Sequence, residues 1–246
     1  MSRPDRAVVF DLDGTLVDSL ADIRRVMNEA LTIEGFSPFC MEDYRRSVGE
    51  GVERLVALLL GPEAAPEALT RVAQNFRRIY PQQLLVHTRP YPGIETLLEA
   101  LSARSVPLAV LSNKPDEETR SIVHQLFPGH FRAVVGQRSG RPRKPDPSPA
   151  FEVAAALDVD PGACFLVGDT PVDVHTALAA GMVPIGVSWG FRPVESLVAL
   201  GAFPLRGPME LLYLVDAGPS QVARRSGGGG VMVGGHADPR FSEPPA

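Results

Sequence analysis

Asp11 and Asp13 stand two residues apart, directly after the short apolar run Val8, Val9, Phe10. That run reads as a buried strand, and Gly14 and Thr15 turn the chain just past the acids. On an extended backbone the two carboxylates are expected to lean the same way, roughly 6–7 Å apart. Like charges that close call for a counter-ion, and hard oxygen donors favour Mg2+. Taken alone, an Asp-x-Asp-Gly segment is equally a turn with solvated carboxylates. The stretch CFLVGDTPVD repeats the arrangement: an apolar strand, then Gly168 and Asp169, with Asp173 at a helix start. Asp169 or Thr170 could cap that helix, which accounts for one acid but not for two at the end of a second strand. If the two strands are neighbours, Asp169 reaches the same cation as Asp11. Asp173 is then a further ligand or a support behind it.

Two other segments could hold an anion. PLAVLSNKP ends a strand in Ser112 and Asn113 before a helix at Asp116. Hydroxyl and amide donors beside free backbone N–H groups can cradle phosphate oxygens, although the same residues also make an ordinary turn. Lys144 lies in RPRKPDPSP, where prolines stiffen the approach to the next helix. A lysine so held can neutralise clustered carboxylates and a bound phosphate, whereas Arg138, Arg141 and Arg143 read as surface charges. In SVGEGVERLV, Gly49, Glu50 and Gly51 precede a helix, either as a loop that closes over a substrate or as a plain helix-to-helix turn. Arg45 and Arg46 could meet a substrate carboxylate or simply coat a helix. His87, His124 and His175 show no metal spacing.

These residues need a scaffold that brings distant strand ends together. Apolar runs predict further strands at 107–112, 131–135, 164–168 and 184–189, and amphipathic spacing predicts helices near 94–101, 116–127, 149–158 and 171–180. Such alternation implies an α/β fold, a doubly wound, mostly parallel sheet that binds ligands at its carboxyl edge. Residues 19–86 break the pattern with helical periodicity and no convincing strand. They read as an all-helical cap inserted after the acidic loop, with linkers at Thr15–Asp18 and Val86–Pro92 that let it move. The expected division is a core of 1–17 and 88–216, a cap of 18–87, and a disordered Gly/Pro-rich tail of 217–246.

Composition narrows the class. A hydrophobic share of 44% supports a proper core, and a net charge of −5 argues against a nucleic-acid partner. The longest apolar run, LVALLL, has only helix-core length, so no membrane span is expected, and the charged N-terminus lacks a signal peptide's apolar stretch. With Cys40 and Cys164 as the only cysteines, a reducing, cytoplasmic setting is expected, for a monomer or homodimer.

In order and spacing, DLDGT, LSN, the lysine of KPDPSP and GDTPVD resemble the four motifs of the haloacid dehalogenase superfamily of aspartate-nucleophile phosphohydrolases. The helical insertion, with VGEGVERLV, YPGI, SNKP and AAGM, is similar to the phosphoglycolate phosphatase branch. The resemblance implies a Rossmann-like core and Mg2+ as cofactor. Asp11 would be nucleophile and metal ligand, and Asp13 would be acid/base and ligand through its carbonyl. Asp169 would be the third ligand, Asp173 an additional ligand or support, and Thr15, Ser112, Asn113 and Lys144 the phosphoryl-holding groups. Gly49, Glu50 and Gly51 would shape specificity. The implied substrate is a small-molecule phosphate ester, with 2-phosphoglycolate leading. A phosphomutase of the β-phosphoglucomutase kind, a pyrophosphatase and a non-catalytic phosphate-binding regulator are the alternatives. Dehalogenation does not need Asp13, and a Schiff-base phosphonate hydrolase would need a cap lysine, which residues 16–88 lack.

Overall fold

A computed structural model describes residues 5–222. The chain opens with β1 (Ala7–Phe10) and a short β2 (Val17–Asp18). Four helices follow, α1 (Leu20–Ile33), α2 (Met41–Ser47), α3 (Val52–Leu60) and α4 (Pro66–Ile79), with a 3-10 turn at Tyr80–Gln83. The alternating half then runs β3 (Arg89–Pro90), α5 (Ile94–Ala103), β4 (Leu108–Pro115), α6 (Asp116–Leu126), β5 (Ala133–Gln137) and α7 (Ser148–Leu157). It ends with β6 (Cys164–Gly168), α8 (Pro171–Ala180), β7 (Val183–Val187), α9 (Val194–Val198), β8 (Phe203–Leu205) and α10 (Leu211–Ala217).

Six strands form one sheet in the order β5-β4-β1-β6-β7-β8, and every neighbouring pair is parallel. β1 is therefore central, covered on both faces, which is why its four residues are all apolar and all buried. One face packs Val8, Phe10, Leu108, Val110 and Phe165 against α5 and α6 residues such as Leu98 and Ile122. The other packs Val9, Ala109 and Leu166 against α7 and α8 through Val153 and Ala177. α5 turns in Ile94, Leu97, Leu98 and Leu101, the four positions whose helical spacing marked it out.

Residues 20–83 form the helical insertion, whose Ile23, Met27, Leu31, Val56, Val72 and Phe76 belong to the same buried cluster as Val8 and Phe10. The two connections to it, expected as plain linkers, instead pair as an antiparallel ribbon, Val17 opposite Pro90 and Asp18 opposite Arg89. Buried Asp22, at the start of α1, ties the return crossing down by accepting the N–H groups of His87 and Thr88 and the Thr88 hydroxyl, at 2.8–2.9 Å. Burial alone would raise its pKa, and these hydrogen bonds outweigh that and hold it low. Two boundaries also differ from expectation. β4 continues through a register irregularity to Pro115, so Ser112 and Asn113 lie within a buried strand end rather than a turn. The tail expected from 217 is ordered at first: after a break at Gly218, residues 219–222 are again helical, and Val222 packs into the core. Residues 223–246 of that expected tail lie outside the described residues. No helix among the described residues is long and apolar enough to cross a membrane.

Candidate active site

Because β1 lies between β4 and β6, the residues following three adjacent strands emerge side by side at the carboxyl edge. Asp11 follows β1, Ser112 and Asn113 belong to β4, and Asp169 follows β6. Carboxylate oxygens of Asp11, Asp169 and Asp173 lie within 4.8 Å of one another, and all three residues are buried. Asp169 fits there because two loops around it carry no side chain. A Cβ at Gly14 would stand 2.2 Å from Asp169 Oδ2, and one at Gly190 would stand 2.2 Å from Asp169 Cβ. Gly14 also has φ +86°, a left-handed turn that other residues adopt only with strain. Asp169 is then oriented by the Phe191 N–H at 2.8 Å and the Thr15 hydroxyl at 3.2 Å.

Lys144 reaches into this cluster. Its ammonium lies 3.0 Å from Asp11 Oδ1 and 2.6 Å from Asp173 Oδ1, and it donates to the Leu111 carbonyl at 2.9 Å. Burial works against its charge, but the carboxylates of Asp11 and Asp173 outweigh burial and hold its pKa above the usual lysine value. One lysine does not balance the acids. Burial pushes Asp11 up to about 7; Lys144 opposes this, while Asp173 and Asp13 add to it. Burial, then Asp173 and Asp11, raise Asp169 well above the carboxylate range. Converging buried carboxylates with surplus negative charge are a donor set that fits a hard divalent cation such as Mg2+. Asp11, whose Oδ2 accepts no hydrogen bond among the described residues, and Asp169, whose oxygens each accept a single uncharged donor, are the better-placed holders, because Asp173 is more heavily committed. Oδ1 takes Lys144, and Oδ2 takes the Thr170 N–H and hydroxyl at the start of α8.

Asp13 does not share that counter-ion through its side chain, as the two-residue spacing suggested. The turn at Gly14 swings it the other way, where it accepts the Ser19 hydroxyl at 2.5 Å and both oxygens take the Lys114 ammonium at 2.8 and 2.9 Å. Ser112 faces a small cleft beside Asp11 and Asp13, and its Oγ accepts only the Lys114 N–H among the described residues. Thr15 and Asn113, expected to hold a phosphate, are spent on structure. Thr15 orients Asp169, and the Asn113 amide donates to the carbonyls of Gly49 at 3.0 Å and Lys144 at 2.9 Å.

The loop of the insertion reaches the core at this point. Gly49 and Gly51 line the cleft, whereas half-buried Glu50 does not line it and lies 3.9 Å from Arg54. Arg143 lies on the seam rather than on open surface: a Cβ at Gly51 would stand 2.8 Å from its guanidinium. Arg45 and Arg46 do not line the cleft; they pair with Glu42 on the outer side of α2.

Three residues escaped the sequence reading. Lys114 is buried with its side chain 4% exposed, and Tyr80, also buried, presents its ring 4.8 Å from the Lys114 ammonium. Arg192, from the loop after β7, donates to the carbonyls of Arg45, Arg46 and Val48, capping the end of α2 from the core. Lys114 had a visible signal: lysine occurs only at 114 and 144, although Lys and Arg together number 24.

Known proteins with this pattern are numerous. Residues 8–187 match the family described as haloacid dehalogenase-like hydrolase. A phosphoglycolate phosphatase of Aquifex aeolicus is 32% identical over 212 residues, which cover 86% of this chain and 97% of that protein. A phosphoglycolate phosphatase of Cereibacter sphaeroides is 37% identical over 203 residues, covering 80% of this chain and 92% of that one. A solved structure from Lactobacillus delbrueckii superposes with a TM-score of 0.77 at 32% identity, covering 88% of this chain and 98% of that chain. The chain is thus an enzyme of the haloacid dehalogenase-like hydrolase family, and it belongs to the phosphoglycolate phosphatase-like branch.

Proposed function

We propose that the protein is a Mg2+-dependent phosphatase of a small phosphate monoester, with 2-phosphoglycolate the first candidate, working through an aspartyl-phosphate. The observation that carries this reading is Asp11. It ends the central strand with Lys144 at 3.0 Å and Asp169 and Asp173 beside it, and Oδ2 has no hydrogen bond among the described residues. A carboxylate attacks a phosphate dianion only where negative charge is offset. Bound between Asp11 and Asp169, Mg2+ would supply that offset by drawing charge from the phosphoryl oxygens.

The remaining steps belong to the chain's own groups. Asp11 Oδ2 forms a bond to phosphorus as the ester oxygen leaves, and protonated Asp13 gives that oxygen its proton. Water then attacks the acyl-phosphate, Asp13 takes its proton back, and inorganic phosphate leaves with Asp11 restored. The Ser112 hydroxyl and Lys144 hold phosphoryl oxygens; Thr15 and Asp173 keep Asp169 and Lys144 in place. The insertion, hinged at the β2–β3 ribbon, closes over the substrate and excludes water.

The test is phosphate release from a panel of small monoesters with Mg2+ and with EDTA. Release from 2-phosphoglycolate that needs Mg2+ and vanishes in Asp11→Asn supports the reading. Activity retained in Asp11→Asn, or silence on every monoester, ends it.

A further inference from the structure

We propose that Lys114 and Tyr80 form the pocket's specificity site, receiving a carboxylate at the non-phosphate end of the substrate as Lys114 gives up its hold on Asp13. This rests on the phosphatase reading and extends it by naming what the far end of the ester meets.

The cleft between the strand ends and the insertion has two unlike walls. Asp11, Asp13, Ser112 and Asn113 form the core side, and Ile23, Val48, Val52, Leu55 and Phe76 form an apolar far side. Lys114 is the single cation lining it among the described residues, and Tyr80 is the single phenol. The Tyr80 hydroxyl is buried with no hydrogen-bond partner among the described residues, an orphaned donor that a ligand oxygen would satisfy. Burial pushes its pKa up to about 12, so it keeps its proton to donate. Tyr80 is also locked, its ring stacked on Phe76 at 4.8 Å between centroids.

Lys114 is equally specialised. The chain places arginine at every other cationic position and keeps lysine for these two buried places. An ammonium is a compact charge on a flexible stem, suited to passing from one carboxylate to another, which a planar guanidinium fork does less readily. The transfer has a clear motive. Asp13 must turn towards the leaving oxygen to protonate it, yet Lys114 and Ser19 hold it by three hydrogen bonds. When Asp13 turns, a cation in an apolar pocket loses its partner, a costly state unless another anion replaces it. A substrate carboxylate fills that vacancy, so the right far end helps release the acid that the reaction needs.

The test is calorimetric binding of two ligands, 2-phosphoglycolate and ethyl phosphate, to the Asp11→Asn chain with Mg2+, where turnover is blocked. A charge-assisted contact predicts about 30-fold tighter binding of the carboxylate ligand. Lys114→Met should erase that preference to within about threefold, and the milder Tyr80→Phe should reduce it by about threefold, both leaving ethyl phosphate unchanged. Asp13→Asn should do the reverse, tightening 2-phosphoglycolate alone by about tenfold, because the competing carboxylate has gone. A purely structural role for Lys114 would weaken both ligands together, and that result overturns the proposal. So does a preference that survives Lys114→Met, or the absence of any preference. Should Lys114→Met not fold, the Tyr80→Phe and Asp13→Asn arms decide alone. If the native chain binds with this preference yet hydrolyses neither ester, the phosphatase reading fails and the specificity site stands. If it hydrolyses both esters equally, the specificity site fails alone.

Discussion

Lys144→Met should be far more damaging at pH 8 than at pH 6. Lys144 is 2% exposed and stands between Asp11 at 3.0 Å and Asp173 at 2.6 Å, so its removal strands two buried carboxylates rather than one. Breaking a buried ion pair by deleting one partner costs about 3–5 kcal/mol, a large part of a typical stability of about 5–15 kcal/mol. For a chain of this size each kcal/mol moves Tm by about 2–4 °C, so a fall of about 10 °C is expected at pH 8 in EDTA. Burial places the Asp11 pKa near 7 even with the lysine present. At pH 6 Asp11 is mostly neutral in the folded chain, and the loss should shrink by about half. Adding Asp173→Asn to Lys144→Met should recover several degrees at pH 8, since it removes one of the stranded charges. Scanning calorimetry of the three chains at both pH values reads all of this. A shift under 2 °C at pH 8 (about 1 kcal/mol), or an equal loss at both pH values, would refute the electrostatic argument and leave Lys144 as packing.

The same cluster makes further predictions. Asp11 and Asp169 both have raised pKa values in the fold, burial being the first cause in each. Their protonated forms are favoured by folding, so the stability they contribute in EDTA is fully present below the ordinary carboxylate range and is lost as pH rises through about 7; Mg2+ should reverse that loss, and an EDTA chain equally stable at pH 5 and pH 8 would contradict it. For the same reason Asp11→Asn should abolish phosphate release yet melt a few degrees above the native chain at pH 8 in EDTA. Arg192→Ala should uncap the end of α2, raising hydrogen exchange across residues 45–51 and KM by about tenfold with little change in kcat. Gly14→Ala should cost both folding and activity, because its methyl would lie 2.2 Å from Asp169 Oδ2, and circular dichroism with a phosphate assay reads the two losses together.

Much of the scaffold was legible because parallel strands buried on both faces leave a strong trace. CFLVG at β6 and the 171–180 helix matched at both ends, being bounded by clear punctuation, Thr170–Pro171 before the helix and Gly181 after it. Punctuation fails where a segment ends against another part of the chain. β4 runs on to Pro115 because the insertion buries Ser112 to Lys114, a tertiary effect that no local pattern carries. The ribbon of Val17 with Pro90 pairs positions 73 apart, and two-residue strands have no periodicity to detect.

The site divides along the same line. Types and order placed Asp11, Asp169, Asp173 and Lys144 together, since each follows a strand or a stiffened loop whose direction the topology determines. Direction within the site was another matter. A spacing of two implies parallel side chains only if the strand persists, and it stops at Phe10; Gly14 then sends Asp13 away from Asp11 and towards Lys114. Thr15 and Asn113 carry the donors expected of a phosphate site, but donors near an anion site also hold its parts in place. Only the hydrogen-bond partners distinguish the two uses. The converse holds for Lys114: read as the third letter of a turn, it is silent, and its meaning comes from scarcity. A chain that meets almost every need for positive charge with arginine, and keeps lysine for two buried contacts with carboxylates, marks those two places as ones where a compact ammonium is held against an acid.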